Sequence, residues 1–169
     1  MGITYSHDDF EVKVNKWDTY FMTIAQATKN KSSCCRRQVG SVLVKDNRII
    51  STGYNGTGQG LLNCNENGCV RCNDDSILSG EQLELCTCIH AEMNALIFAN
   101  VDLNGASMYS TLKPCINCAK HLQQAGVTKF YYEDAYNDKL VDNFCKVAKI
   151  ELVCLPSVAA YKKSQDDSY

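Results

Sequence analysis

The sequence predicts an α/β fold with three layers, in which a central sheet of about five strands lies between helices. Two observations lead to this prediction. Two strand-like segments near the N-terminus are joined by a short turn, and beyond residue 89 helix-like and strand-like segments alternate up to residue 154. Such alternation is typical of a sheet whose faces are covered by helices through right-handed crossovers.

Five short segments are rich in β-branched and apolar residues and are bounded by turn residues, which is the pattern of strands. They are residues 39–44, 48–54, 106–111, 127–132 and 150–154. Lys45-Asp46-Asn47 separates the first two segments and predicts a hairpin, and Asn55-Gly56 predicts a turn after the second.

Four further segments predict helices. The first carries Trp17, Phe21 and Ile24 at the i, i+4, i+7 spacing of an amphipathic helix and should end near residues 31–33. The others are residues 90–100, 114–124 and 140–147. Pro114 is expected at the first helical position, where its missing N–H costs nothing, and Gly126 is expected to cap the end of that helix.

The chain is expected to form one domain over residues 1–156, followed by a polar C-terminal tail over residues 157–169. Residues 56–89 form a cysteine-rich insert with too little apolar sequence for a core of its own. An irregular segment of this length inside a domain is normally functional or held in place by a ligand.

Charge and cysteine content exclude several classes of protein. The net charge is −2, so the cationic surplus of a nucleic-acid binder is missing, and no apolar run reaches membrane-spanning length. The N-terminal residues lack the basic and apolar regions of a signal peptide. Eleven cysteines, an odd number, with CxxC and CxC spacings favour metal binding in a reducing, cytoplasmic compartment over disulfides.

Two short motifs carry the predicted chemistry. His90-Ala91-Glu92 opens one predicted helix, and Pro114-Cys115-Ile116-Asn117-Cys118 opens the next. Cys115 and Cys118 lie three residues apart, on one face of a helix, so both sulfurs can reach one ion. Two thiolates and one imidazole leave a fourth tetrahedral position open, as in a catalytic zinc site.

The predicted site suits hydrolysis. Bound zinc lowers the pKa of water to about 7, and the N–H groups at a helix start favour the thiolate forms of its cysteine ligands. Glu92 is then the natural acid and base. The combination matches the H-x-E…P-C-x-x-C signature of zinc deaminases. The alternative is a plain structural zinc knuckle, or a CxxC with an unrelated histidine.

Seven cysteines precede His90 and predict a second metal site. They are Cys34, Cys35, Cys64, Cys69, Cys72, Cys86 and Cys88. A closed, structural zinc would hold the insert, since such ions bind with an apparent free energy of roughly 10–16 kcal/mol. The alternatives are free buried thiols, and a two-metal cluster that shares thiolates, to which a single zinc is preferred. Cys145 and Cys154 fall on predicted regular elements and are assigned to the core.

Taken together, these residues resemble the deoxycytidylate (dCMP) deaminase family of the cytidine deaminase superfamily. The resemblance covers roughly residues 17–156 and includes the cysteine-rich insert of fungal members. The matching pieces are residues 34–40 (Cys-Cys-Arg-Arg-Gln-Val-Gly), 53–56 (Gly-Tyr-Asn-Gly), 90–95 (His-Ala-Glu-Met-Asn-Ala) and 114–120 (Pro-Cys-Ile-Asn-Cys-Ala-Lys). It implies a cytidine-deaminase-like sandwich with a mixed sheet.

The resemblance also implies roles for single residues. His90, Cys115 and Cys118 would bind the catalytic zinc, and Glu92 would move protons. The second zinc would use Cys34 and Cys64, with Cys72 and Cys88 as the preferred remaining ligands and Cys69 and Cys86 as candidates. Arg36 would bind the 5′-phosphate, with Arg37 as the competing choice. Asn55, Ala91 and Tyr136 would contact the substrate.

The activity implied is hydrolysis of dCMP to dUMP and ammonia, which supplies dUMP for thymidylate synthesis. Family members are typically hexamers, and many are regulated by dCTP and dTTP with Mg²⁺. Two rival functions stay open: a related zinc deaminase acting on dCTP, deoxycytidine, tRNA or another heterocycle, and a non-catalytic zinc-stabilised binding module. The slight negative charge disfavours tRNA, and Glu92 disfavours a purely structural site.

Overall fold

The computed structural model describes residues 15–136 and 138–157. Within this part of the chain the strands are β1 (Gly40–Lys45), β2 (Arg48–Tyr54), β3 (Gly56–Thr57), β4 (Cys88–Ile89), β5 (Ser107–Leu112), β6 (Lys129–Asp134) and β7 (Glu151–Cys154). The α-helices are α1 (Lys16–Lys29), α2 (Val70–Asn73), α3 (Ala91–Ile97), α4 (Ile116–Gln124) and α5 (Lys139–Val147). The predicted tail lies, apart from Ser157, outside the described residues.

The five longer strands form one mixed sheet in the order β2-β1-β5-β6-β7. Strand β1 runs antiparallel to both of its neighbours, whereas β5, β6 and β7 are parallel to one another. The predicted hairpin between β1 and β2 is present. Asp46 and Asn47 in its turn both have positive φ, at 51° and 57°, which is the backbone conformation of a type I′ turn.

Helices cover both faces of this sheet, which confirms the predicted three layers. Alternate residues of a strand point to opposite faces. On one face, Val42 and Tyr109 pack with Phe21 and the other buried residues of α1. On the other face, Leu43 packs with buried residues of α3, α4 and α5, among them Ala95, Ala119, Leu122, Val141 and Cys145. The second core is the larger, and it supports the two helices that carry the predicted metal ligands.

Two predictions about the start of α4 are wrong: Pro114 is not its first residue, and Cys115 and Cys118 do not lie on one face of the helix. Helix α4 begins at Ile116, two residues after Pro114, and Cys115 is its N-cap residue. The Cys115 sulfur accepts a hydrogen bond from the backbone N–H of Cys118, in the way that a capping side chain does. The two sulfurs therefore converge through the cap and not through a shared helical face.

The starts of α3 and α4 do not lie at the ends of neighbouring strands. Helix α4 follows β5, but α3 follows the insert and packs beside the end of β2. Strand β1 separates β2 from β5 in the sheet. Because β1 is antiparallel to both, the ends of β2 and β5 still lie at the same edge, together with the start of β1.

The insert begins and finishes at the same end of the central sheet. Strands β3 and β4 form a two-stranded antiparallel sheet in which Gly56 pairs with Ile89 and Thr57 pairs with Cys88. Between them lie α2 and two short 3-10 turns, Cys64–Glu66 and Leu83–Leu85. The small sheet thus closes the base of the insert and delivers His90 directly to the start of α3. Among the described residues, no helix has the length and apolarity needed to cross a membrane.

Candidate active site

Helix α3 lies unusually close to β2, and this contact fixes the position of His90 and Glu92. A Cβ atom on Gly53 would lie 2.1 Å from the carbonyl oxygen of Ala91 and 2.4 Å from the backbone nitrogen of Ala95. Only glycine therefore allows the helix to approach this far. The side chain of Asn94 donates a 2.7 Å hydrogen bond to the carbonyl of Tyr54 and holds the same contact.

The start of α4 is held from the opposite side. Pro114 is fully buried. Lys113 is only 5% exposed, and its Nζ lies 2.6 Å from Oδ1 of Asp142 on α5. A buried ammonium needs such a partner, because leaving it unpaired in the core is costly. Lys113 and Pro114, which connect β5 to Cys115, are thus packed in the core. This packing places the Cys115 and Cys118 sulfurs opposite His90.

His90, Cys115 and Cys118 form a compact group of three ligand atoms. The Nδ1 atom of His90 lies 3.5 Å from each of the two sulfurs. In tetrahedral zinc sites with Zn–S bonds of about 2.3 Å and Zn–N bonds of about 2.0 Å, these atoms lie about 3.5 Å apart. His90 is exposed while Cys118 is buried, so the group opens toward solvent. The three residues could hold a zinc ion with one coordination position left for water or substrate.

The electrostatics of the group also suit a cation. Hydrogen bonding from Cys118, and then from His90, lowers the pKa of Cys115 to about 3. Contact with Cys115, followed by burial, raises the pKa of Cys118. Two adjacent thiolates disfavour each other, and a divalent ion between them allows both to be ionised. The donor set therefore fits zinc.

Glu92 lies beside this group in a buried position. Its side chain is 4% exposed, Oε2 lies 3.8 Å from the Cys118 sulfur, and Oε1 accepts a 3.1 Å hydrogen bond from the Ser110 hydroxyl. Burial is the main cause of its raised pKa, which hydrogen bonds from its own backbone N–H and from Ser110 partly oppose. Glu92 therefore lies next to the ligand group, and its role in proton transfer stays a prediction.

Two serines behind Glu92 were missed by the sequence reasoning. Ser41 on β1 donates a 3.0 Å hydrogen bond to Ser110 on β5, and both side chains are fully buried. The two residues pair directly across the sheet. The available signal was a serine within each of two predicted strands, but nothing local in the sequence joins them.

Tyr136 and Ala91, which were predicted to contact the substrate, lie near the ligand group. Burial raises the pKa of the half-buried Tyr136, and the charges of Cys115, Glu92 and Cys118 raise it further. Its phenol therefore stays protonated at neutral pH. Ala91 is fully buried at the first position of α3, between the candidate ligand His90 and Glu92.

The side chain of Asn55 forms hydrogen bonds with the segment that precedes β1. Its Oδ1 accepts 2.7 Å hydrogen bonds from the Ser32 hydroxyl and from the backbone N–H of Val39. Its Nδ2 donates a 2.7 Å bond to the carbonyl of Arg37. These contacts use both lone pairs of the oxygen and one of the two amide N–H bonds, so a substrate contact would use the other N–H.

Arg36 points toward the cysteine-rich insert. Its Nε donates a 2.9 Å hydrogen bond to the carbonyl of Cys72, and an Nη atom donates to the carbonyl of Asp74. Arg36 and Arg37 also line a cleft of about 440 Å³. Its other lining residues are Lys29, Cys34, Cys35, Gln38, Thr111, Leu112 and Asp134. Glu92 and the three candidate ligand residues are not among the residues that line this cleft.

The cysteines that were predicted to hold a second metal ion lie close together. The sulfurs of Cys34, Cys64, Cys72 and Cys88 all lie within 4.8 Å of one another. A second group that meets the same distance limit consists of Cys69, Cys72, Cys86 and Cys88. Cys35 is exposed and belongs to neither group. Away from these groups, Cys145 is in the core as predicted, but the core assignment of Cys154 is wrong because that residue is exposed.

Comparisons with known proteins agree with this geometry. Residues 15–134 match the family model described as "Cytidine and deoxycytidylate deaminase zinc-binding region". The deoxycytidylate deaminase of Schizosaccharomyces pombe is 42% identical over 139 residues, which cover 80% of this chain and 43% of that protein. The deoxycytidylate deaminase of Saccharomyces cerevisiae is 42% identical over 122 residues, covering 71% of this chain and 38% of that protein. The chain thus spans less than half the length of these two relatives.

A solved structure is similar over most of its length. The dCMP deaminase from the cyanophage S-TIM5, in complex with dCMP and dUMP, superposes with a TM-score of 0.67 at 28% sequence identity. The match covers 80% of this chain and 94% of that chain. The family model includes the whole ligand group and most of the central sheet. The chain therefore belongs to the cytidine and deoxycytidylate deaminase family, whose shared feature is this zinc-binding region.

Proposed function

We propose that this chain catalyses the hydrolytic deamination of dCMP to dUMP and ammonia. The observation that carries the proposal is the position of Glu92, a buried carboxylate whose Oε2 lies 3.8 Å from the sulfur of the ligand Cys118. A purely structural zinc site has no use for such a group. The names of the fungal relatives support dCMP as the substrate, as does the cyanophage enzyme that was solved with dCMP and dUMP.

The reaction needs a proton to be moved from water to the leaving amine. His90, Cys115 and Cys118 would hold the zinc ion, which when bound supplies a Lewis acid that lowers the pKa of water to near 7. Glu92 accepts the water proton as the oxygen attacks C4 of cytosine. The same carboxyl gives this proton to N3, then takes the remaining proton from the new C4 hydroxyl and passes it to the amino nitrogen, and the C4–N bond breaks to release ammonia.

The surroundings of Glu92 suit this double role. Burial raises its pKa, so the group can accept and return a proton closer to neutral pH than an exposed carboxylate could. Ser110 donates to Oε1 and leaves Oε2 turned toward the ligand group. The bond from Ser110 therefore holds the carboxylate in the orientation that the transfer needs.

Four residues are proposed to contact the substrate. The ring of Tyr136 would pack on the cytosine, and the backbone of Ala91 would contact the base from the start of α3. The free amide N–H of Asn55 would reach the base or sugar. Arg36 would bind the 5′-phosphate through the part of its guanidinium that does not contact the carbonyls of Cys72 and Asp74, with Arg37 as the competing residue.

The remaining parts of the proposal concern metals and assembly. The insert would hold structural zinc through Cys34, Cys64, Cys72 and Cys88, whose sulfurs lie close together. The chain would act in the cytoplasm as a hexamer, with dCTP and dTTP as effectors and Mg²⁺ bound with the effector. It would bind neither nucleic acid nor membranes.

A substrate panel tests this function. Ammonia release is measured with dCMP, dCTP, deoxycytidine and CMP, each with and without dCTP and dTTP as effectors. The proposal expects the highest kcat/KM for dCMP, and a clear preference for another compound would contradict it. The Cys115→Ala variant should lose the catalytic zinc and all turnover. If its metal content equals that of the unmodified chain, the ligand assignment is wrong.

A further inference from the structure

The cysteines of the insert form two overlapping sets of four. The first set is Cys34, Cys64, Cys72 and Cys88, and the second is Cys69, Cys72, Cys86 and Cys88. In each set all four sulfurs lie within 4.8 Å of one another. Cys72 and Cys88 belong to both sets, and each set adds two cysteines of its own. Six sulfurs therefore outline two tetrahedra that share an edge.

We propose that the insert binds two zinc ions, bridged by the thiolates of Cys72 and Cys88. Cys34 and Cys64 complete the first ion, and Cys69 and Cys86 complete the second. Each ion has four sulfur ligands and no open position, which is the arrangement of a structural site. With the ion of the candidate active site, the chain would carry three zinc ions. This inference does not depend on which substrate the chain deaminates.

The sulfur–sulfur distances fit this arrangement. In a ZnS₄ site with Zn–S bonds of about 2.3 Å, sulfurs lie about 3.8 Å apart. The sulfur of Cys72 lies 4.0 Å from that of Cys34 in the first set and 3.9 Å from that of Cys86 in the second. Within the second set, the sulfurs of Cys69 and Cys86 are 3.8 Å apart. Cys72 therefore occupies the meeting point of both sets, as a bridging ligand would.

These distances do not correspond to disulfides. A disulfide requires an S–S distance of about 2.05 Å. Each cysteine of the two sets is a free thiol in the structure, and the separations given above are nearly twice that bond length. The sulfurs are arranged around common centres and not in bonded pairs, which is the geometry of ligands around ions.

A single structural ion would leave two of the six clustered cysteines without a metal. If only the first set bound zinc, Cys69 and Cys86 would be left as free thiols, although Cys69 is fully buried. The sulfur of Cys86 lies 3.8 Å from that of Cys69 and 3.9 Å from that of Cys72, which is the spacing of ligands around one ion.

The charge of the cluster does not disfavour a second ion. Six thiolates with two Zn²⁺ ions carry a net charge of −2, the same charge as four thiolates with one Zn²⁺ ion, so the second ion adds no net charge. Arg71 precedes the bridging Cys72 in α2 and is itself buried, with hydrogen bonds to the carbonyls of Glu81 and Leu78. Arg36 binds the carbonyl of Cys72. The guanidinium of Arg36 thus lies against the bridging residue, where its positive charge can offset part of the charge of the cluster.

Metal counting on the unmodified chain tests the number of ions. The chain is purified with zinc in the buffer and without chelator, and is then analysed by mass spectrometry for zinc per chain. Three ions are expected, and two would overturn the proposal. The count is independent of turnover, so a failure of the proposed dCMP deamination would leave this result unaffected.

Cadmium substitution tests the bridging. After exchange with ¹¹³Cd, proton–cadmium correlation spectra should connect the β-protons of Cys72 and Cys88 to two cadmium resonances each. The β-protons of Cys34, Cys64, Cys69 and Cys86 should connect to one each. If every cysteine connects to a single resonance, the ions share no thiolate and the bridged cluster is refuted. This experiment needs no variant, so it does not depend on whether a mutated insert still folds.

Single substitutions then separate the two ions. Cys69→Ser should lower the zinc content from three to two per chain, because Cys69 belongs only to the second set. With one structural ion on the first set, the same substitution would leave the count unchanged. Cys154→Ser is the matched control, since Cys154 is exposed on β7 and outside both sets, and it should retain three ions.

Discussion

Ser110 on β5 donates a 3.1 Å hydrogen bond to Oε1 of Glu92 at the start of α3. The same hydroxyl accepts a 3.0 Å bond from Ser41 on the neighbouring strand. The sheet and the helix are therefore joined through the carboxylate that moves protons in the proposed reaction. Because Ser110 can donate to the ionised carboxylate, it favours that form and opposes the effect of burial on the pKa of Glu92.

The first prediction concerns the pH dependence of turnover in Ser110→Ala. Removing this donor should raise the pKa of Glu92, so a smaller fraction is ionised at a given acidic pH. Glu92 must be ionised to accept the water proton, so activity should be lost first at low pH and regained as pH rises. A bond to a charged group contributes about 1.5 kcal/mol or more, which corresponds to about one pKa unit. The measurement is kcat/KM across pH.

Ser107→Ala is the control for this prediction, since Ser107 lies on the same strand at its other end. Its acid limb should coincide with that of the unmodified chain. If the acid limb of Ser110→Ala also stays in place while kcat falls uniformly, Ser110 acts only on the position of the carboxylate and the proposed electrostatic effect is absent.

The second prediction is that Glu92→Gln keeps the metal and loses turnover. The amide has nearly the shape of the carboxylate but cannot accept the water proton. Loss of a general acid and base lowers rates by roughly 10²- to 10⁴-fold. The measurements are ammonia release and zinc content. Glu84→Gln is the matched control in an exposed turn of the insert and should behave as the unmodified chain does. Substantial activity in Glu92→Gln would rule out the assigned role.

The third prediction is that Gly53→Ala lowers both stability and activity, although Gly53 is not itself a residue of the candidate site. The added Cβ would lie 2.1 Å and 2.4 Å from backbone atoms of Ala91 and Ala95, which cannot rotate away as a side chain could. Helix α3 must therefore shift, and it carries both His90 and Glu92. Overpacking of this kind lowers the free energy of unfolding by about 1–3 kcal/mol. The measurements are denaturant unfolding and kcat, and both quantities should fall.

Gly58→Ala provides the comparison for Gly53→Ala. A Cβ at Gly58 would have its nearest neighbours at 3.8 Å and 3.9 Å, which is ordinary contact. This variant should keep its stability and activity within experimental error. Equal behaviour of the two variants would show that the close approach of α3 to β2 is not what positions Glu92.

Local sequence patterns predicted much of the fold. The spacing of Trp17, Phe21 and Ile24 predicted α1, and the turn residues Asp46 and Asn47 predicted the hairpin. Both signals act over a few residues, so they can be read without knowledge of the tertiary structure. The candidate ligands His90, Cys115 and Cys118 were also identified from short motifs, because each motif limits where its side chains can point.

Contacts between distant segments were not predictable in this way. Ser110 reaches Glu92 only because β5 and α3 pack together, and nothing near either residue indicates it. Arg36 was expected to face a phosphate, but its guanidinium binds carbonyls 36 and 38 residues further along the chain. The overlap of the two cysteine sets at Cys72 and Cys88 likewise arises from the folding of the whole insert.

The last prediction separates two roles of Arg36. If its guanidinium binds the 5′-phosphate, Arg36→Ala should raise the KM for dCMP at least about tenfold while the KM for deoxycytidine changes little, since a bond to a charged group contributes about 1.5–3 kcal/mol. If Arg36 only fastens the insert through Cys72 and Asp74, kcat should fall for both substrates and zinc content should drop. Arg37→Ala is the control, because Arg37 is exposed and its nearest acidic partner, Asp134, is 3.8 Å away. A larger rise in the KM for dCMP in Arg37→Ala than in Arg36→Ala would transfer the phosphate-binding role to Arg37.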